Sequence, residues 1–76
     1  MKIKELFTKK EIQYLENLWS THNLSIEEGW EFIAESKENL MQVINNQLWP
    51  WYAAEGWLLG DAQDRVREIL NKWEEK

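Results

Sequence analysis

Ser25-Ile26-Glu27-Glu28-Gly29-Trp30-Glu31-Phe32-Ile33-Ala34-Glu35-Ser36-Lys37-Glu38-Asn39-Leu40-Met41-Gln42-Val43-Ile44-Asn45-Asn46-Gln47-Leu48 is the stretch whose reading decides the fold. Set on a helix, Ile26, Trp30, Ile33, Leu40, Met41, Ile44 and Leu48 share one stripe at spacings of three and four. Glu27, Glu28, Glu31, Glu35 and Glu38 share the opposite side. Ser25 and Glu28 stand at the two positions of a capping box. Lys37 is the one flaw in the stripe, and its stem can lie along apolar surface. Ser36 could cap a new helix, so a break there is the alternative. The stripe keeps its phase across that point, and the expectation is one continuous helix about 34 Å long.

Working downstream, Pro50 is expected to end this helix, because the residue before a proline avoids helical geometry. Proline also suits the first turn of a following helix. A third helix is expected from Trp51 onward, with Trp51, Leu58, Leu59, Ala62, Val66, Ile69, Leu70 and Trp73 on one face. Gly60-Asp61 could be a stop and a fresh cap, and the phase again survives it.

Upstream, Thr8-Lys9-Lys10-Glu11 reads as a capping box, with Phe7 and Ile12 placed as a hydrophobic staple. A first helix is expected from about Lys9 to between Ser20 and His22, its stripe Ile12, Leu15, Leu18 and Trp19. Residues 1–7 read as an arm pinned by Ile3, Leu6 and Phe7. Phe32, Val43 and Trp57 are the expected seat for the first helix. The predicted architecture is a single all-α domain over residues 1–76. It is a small three-helix bundle of one short and two long antiparallel helices joined at Pro50, with breaks near Ser36 and Gly60 as the alternative.

Composition bounds the function. A 76-residue chain without cysteine cannot use disulfides or a thiolate metal site. The start, Met1-Lys2-Ile3-Lys4-Glu5, does not look like a signal peptide. No stretch approaches the roughly 20 apolar residues of a membrane span. A cytoplasmic protein with no membrane contact is expected. The formal net charge of −5 argues against bulk attraction to nucleic acid and towards a basic partner.

The glutamates are the candidate site. Glu27, Glu28, Glu31, Glu35 and Glu38 have no Lys or Arg at i+4 on their face, and like charges so spaced each cost a few tenths of a kcal/mol. The plainer reading is a solvated outer face. The sharper one is a docking strip for a basic surface, including one that itself handles nucleic acid. Catalysis is not expected, because an exposed ridge does not push paired carboxyl pKa values apart. No metal or cofactor is expected: His22, the lone histidine, lies in a loop without the Glu-x-x-His spacing of a bundle metal site.

The six tryptophans divide. Trp19, Trp30, Trp51 and Trp73 fall on core stripes. Trp57 is expected to pack on the first helix. Trp49, with Tyr52, sits at the Pro50 turn, where aromatic side chains could anchor a partner. Ala53, Gly56 and Gly60 would form a small-residue strip on the third helix, permitting close approach by another helix or a second copy. Helix 1, its short turn and Leu24-Ser25 locally resemble a helix-turn-helix. The would-be reading helix carries five glutamates, however, and Asn45, Asn46 and Gln47 have no basic flank to position them on DNA.

The reading is a small, acidic, non-enzymatic inhibitor or adaptor. Glu27, Glu28, Glu31, Glu35 and Glu38 would supply complementarity to a basic site on a partner protein, and Trp49 and Tyr52 the apolar anchors. A self-assembling homodimer is the second reading, and a DNA-binding regulator the third.

Overall fold

The computed structural model describes residues 3–74 and is helical throughout, with no strand among them. The expected arm falls partly on residues 1–2, which lie outside the described residues. The rest of it forms a 3₁₀ turn, Ile3–Leu6. Leu6 is fully buried and Phe7 nearly so, and Ile3 packs beside them, so the segment is pinned to the core by the three residues expected to hold it.

Helix α1 (Lys9–Thr21) begins as the sequence implies. The Thr8 hydroxyl accepts from the Glu11 amide at 3.3 Å, and Glu11 Oε1 accepts from the Thr8 amide at 2.9 Å. It ends in a Schellman motif. The Leu24 amide donates to the Trp19 carbonyl, the Asn23 amide donates to the Ser20 carbonyl, and Asn23 takes a left-handed φ of +59°. Asparagine is one of the few residues that enters that region at low cost.

Helix α2 (Ile26–Glu35) and helix α3 (Lys37–Val43) replace the single long helix. Ser36 is fully extended, at φ −158° and ψ 156°. Its hydroxyl accepts from the Asn39 amide at 3.1 Å, and the Asn39 side-chain amide donates to the Phe32 carbonyl at 2.9 Å. The break is thus capped on both sides by side chains that compete with the backbone ladder. Ile33 and Leu40, seven residues apart, are both fully buried. Hydrophobic phase therefore persists across a break that it cannot report.

The expected break at Pro50 is overturned. From α3 the chain runs through a π-helical turn, Ile44–Leu48, directly into α4 (Trp49–Ala54), and Trp49 keeps helical angles. Proline inside a helix clashes with the carbonyl four residues back. Here the helix widens so that the Trp49 amide donates to the Ile44 carbonyl, five residues back. That wider turn relieves the crowding, and the helix survives.

The reversal comes later. Gly56, at φ +83°, closes a second Schellman motif: its amide donates to the Ala53 carbonyl and the Trp57 amide to the Tyr52 carbonyl. Helix α5 (Leu59–Glu74) follows, with Asp61 in its first turn. Gly60 is the second residue of α5, so the break offered near it as the alternative occurs just upstream, at Gly56. The expected small-residue strip is corrected accordingly: Ala53 belongs to α4, Gly56 to the turn and Gly60 to α5.

The core gathers Leu6, Phe7, Leu15, Trp19, Trp30, Ile33, Leu40, Val43, Ile44, Leu48, Tyr52, Ala62, Val66 and Ile69. Trp30 meets Trp19 edge-on at 5.1 Å and Phe7 at 5.6 Å. Trp51 and Trp73 pack on its margin. Leu58 and Leu59, expected on a core stripe, are exposed at 73% and 67%: Leu58 lies in the connection after Gly56, and Leu59 is the first residue of α5.

Candidate functional site

Four of the five ridge glutamates stand together. Glu27, Glu28, Glu31 and Glu35 are all exposed on α2. No ion pair to any of them occurs among the described residues. Glu35 accepts only from the Asn39 side chain, at 3.3 Å. Lys37, the nearest cation in sequence, is engaged by Glu74. Glu38 is exposed but lies across the Ser36 break on α3, in a shallow depression lined also by Met41 and Leu70.

Beside this ridge is a groove that the sequence did not reveal. Its volume is about 380 Å³, and Trp19, Leu24, Phe32 and Val43 form its apolar surface. Glu28 stands on one rim, and Gln42, Asn46 and Gln47 supply side chains opposite. Leu24 is 56% and Phe32 40% exposed.

Each wall follows from local structure. Leu24 and Trp19 are the two positions that a Schellman motif brings into hydrophobic contact. Gly29 lets the Trp19 indole lie against the α2 backbone. Phe32 follows Glu28 by one turn and sits at the edge of the acidic face, about 40° round the helix. Glu28 is free to face outward because its amide, not its carboxylate, serves the Ser25 cap; the reciprocal half of the box seen at Thr8 is absent. Phe32 was expected to receive helix 1 and is instead a groove wall.

The expected aromatic anchors fare differently. Tyr52 is fully buried and is no surface anchor. Its hydroxyl donates to Glu11 Oε2 at 2.5 Å. Trp49 is partly buried and meets Tyr52 edge-on at 6.4 Å. Trp57 meets the Tyr52 ring at 4.5 Å with the planes tilted by 31°, the hydrophobic contact of the second Schellman motif. It also lines a depression with Thr8, Lys9 and Lys10 at the start of α1.

Tyr52 belongs to a buried ionic cluster. Arg65 grips Glu11 with two bonds, Nη2 to Oε1 at 2.6 Å and Nε to Oε2 at 3.0 Å. Arg65 Nη2 also donates to the Leu6 carbonyl at 3.0 Å. Burial alone would raise the Glu11 pKa, but the bonds from Arg65, Tyr52 and Thr8 outweigh it and hold the carboxyl below its usual range. Burial, reinforced by Glu11, drives the Tyr52 phenol far above its usual value. Every carboxylate oxygen is occupied, so the cluster joins the N-terminal turn to α4 and α5 rather than offering reactive groups. A second tie joins Glu16 to the Trp30 indole N–H at 2.8 Å and to Lys4 at 3.1 Å. The Trp30 bond, with help from Lys4 and against partial burial, lowers the Glu16 pKa.

Among the described residues no group of three His, Cys, Asp or Glu side chains could hold a metal ion, and no helix is long and apolar enough to cross a membrane. No protein-family model, curated protein or solved structure matches this chain.

Proposed function

We propose that this chain is a non-enzymatic binding protein, an inhibitor or adaptor, that docks on a basic surface of a partner protein. The supporting observation is the α2 ridge: Glu27, Glu28, Glu31 and Glu35 exposed on one helix, with no cation paired to them among the described residues. Placing four like charges on one helix costs stability, and a basic partner removes that cost on binding. The resulting field would steer association and weaken with salt. A basic site that normally holds nucleic acid fits this description. The ridge itself repels phosphate, which disfavours direct DNA binding through α2.

The experiment is affinity capture from cytosol at low salt, with Glu27/Glu28/Glu31/Glu35→Gln beside the native chain. The expected outcome is a partner with a basic surface that is retained by the native chain, released by salt and lost with the variant. Retention of the same proteins by both would sink the reading.

Homodimerisation is a second reading, favoured by the exposed Leu58 and Leu59 beside half-exposed Trp57. A mass in solution that halves with Leu58→Ser/Leu59→Ser would support it; a monomer at micromolar concentration would remove it.

A further inference from the structure

We infer that the groove between α2 and the π-helical turn seats the apolar face of a basic amphipathic helix from a partner protein. Its anchors would lie between Leu24 and Phe32 over Trp19, and its Lys or Arg flank over Glu28, Glu31 and Glu35. This rests on the ridge reading above and adds the apolar half of the recognition.

Charge complementarity selects the occupant. Among the described residues, Glu28 is the one charged side chain lining the groove, no Lys or Arg lines it, and the other exposed carboxylates of α2 lie on the adjoining face of the helix. The groove is therefore an apolar slot with an anionic shoulder. A neutral apolar segment would leave that shoulder uncompensated, and an acidic one would be repelled. A helix with an apolar stripe and a cationic flank satisfies both halves.

Shape points the same way. Glu28 and Phe32 are one turn apart on α2, spanning about 6 Å, and Gln42 on α3 and Asn46 in the π-helical turn line the facing wall. Side chains at i and i+4 of an incoming helix match that length. The groove borders helices and offers no sheet edge among the described residues, so a strand has no ladder to join. A helix arrives with its backbone already satisfied and needs only side-chain contacts.

The test titrates isotopically labelled protein with three synthetic peptides of about 18 residues, long enough to hold helical structure. One is a Leu/Lys amphipathic helix, the second the same composition scrambled, the third oligolysine. With the amphipathic peptide the Trp19 indole N–H resonance shifts saturably while that of Trp57, outside the groove, does not. Leu24→Ser/Phe32→Ser alters two exposed side chains and weakens this binding at least tenfold. Equal binding by oligolysine, equal Trp19 shifts with the scrambled peptide, or no loss in the Leu24/Phe32 variant overturns the groove assignment and leaves the ridge standing. Undiminished binding of the amphipathic peptide to the Glu→Gln ridge variant overturns the ridge reading, and with it the basic flank of the occupant. A Trp19 resonance that moves with none of the peptides overturns the inference.

Discussion

The indole of Trp19 lies so close to the backbone of Gly29 that a Cβ built on Gly29 would stand 2.6 Å from two ring carbons. A glycine in the first turns of α2 is therefore a packing requirement. It lets α1 and α2 approach and sets the floor of the apolar groove.

Gly29→Ala tests that contact. Alanine gains about 1 kcal/mol of helix propensity, but overpacking costs about 1–3 kcal/mol where the neighbour is a rigid ring. Trp19 is 7% exposed and meets Trp30 edge-on, so it has little room to move. A net loss of stability is expected in urea unfolding, with altered peptide binding at the groove. A more stable variant would show that Trp19 yields.

The Glu11–Arg65 pair should be costly to break from one side. Glu11 is 1% exposed. Arg65→Met leaves its carboxylate buried with only Tyr52 and Thr8, and a loss of about 3–5 kcal/mol is expected. The double variant Glu11→Leu/Arg65→Met should lose less than the two single variants summed, because it leaves no lone buried charge. Additive losses from chemical denaturation would argue that the two side chains act independently.

Stability should fall at both ends of the pH range. The folded Glu11 pKa is depressed, so the cluster's contribution is whole above the usual carboxyl value near 4.5. It is lost as pH falls further, because the unfolded chain takes up the proton first. The folded Tyr52 pKa is raised, so its contribution is whole below the usual phenol value near 10 and declines as pH rises beyond it. In urea midpoints followed against pH, Glu11→Gln should flatten the acid limb and Tyr52→Phe the alkaline limb. Unchanged limbs would mean that other groups dominate.

Gly56 and Gly60 should respond with opposite signs to alanine. Neither added Cβ would meet another atom within 4 Å, so backbone geometry decides. At Gly56 the φ of +83° is unfavourable for alanine by about 1–2 kcal/mol. Gly60 is the second residue of α5, where alanine gains at most the ~1 kcal/mol of a helix interior. Thermal midpoints of the two variants check this directly, and stabilisation by Gly56→Ala would contradict the reversal at that residue.

Local signals made much of the chain legible. The Thr8/Glu11 capping box starts α1 as read, because it is complete within four residues. The Ser25 cap and the exposed face of Glu27, Glu28, Glu31 and Glu35 follow from helical period alone. Leu15, Trp19, Trp30, Ile33, Leu40, Ile44 and Leu48 are buried for the same reason. Gly56-Trp57 carried a readable stop signal, glycine followed by a hydrophobic residue. Pro50, six residues earlier, is the stronger helix breaker in isolation and outweighs that signal.

The rest was decided by tertiary structure. Hydrophobic phase reports which side of a helix is wet; it does not report whether the axis bends, so it could not choose between a continuous helix and the break that Ser36 signalled, and the continuity through Pro50 was hidden. The same capping box that places Glu11 in sequence does not say that Arg65, 54 residues on, and Tyr52 will occupy its oxygens. The groove needs the chain to turn at Asn23, just past the end of α1, and the π-helical turn to arrive opposite α2. Sequence fixes energies between near neighbours, where geometry is set by the backbone. Contacts between distant residues depend on the angles at which helices are joined, and here those angles come from one extended serine, two Schellman turns and a widened helix around one proline.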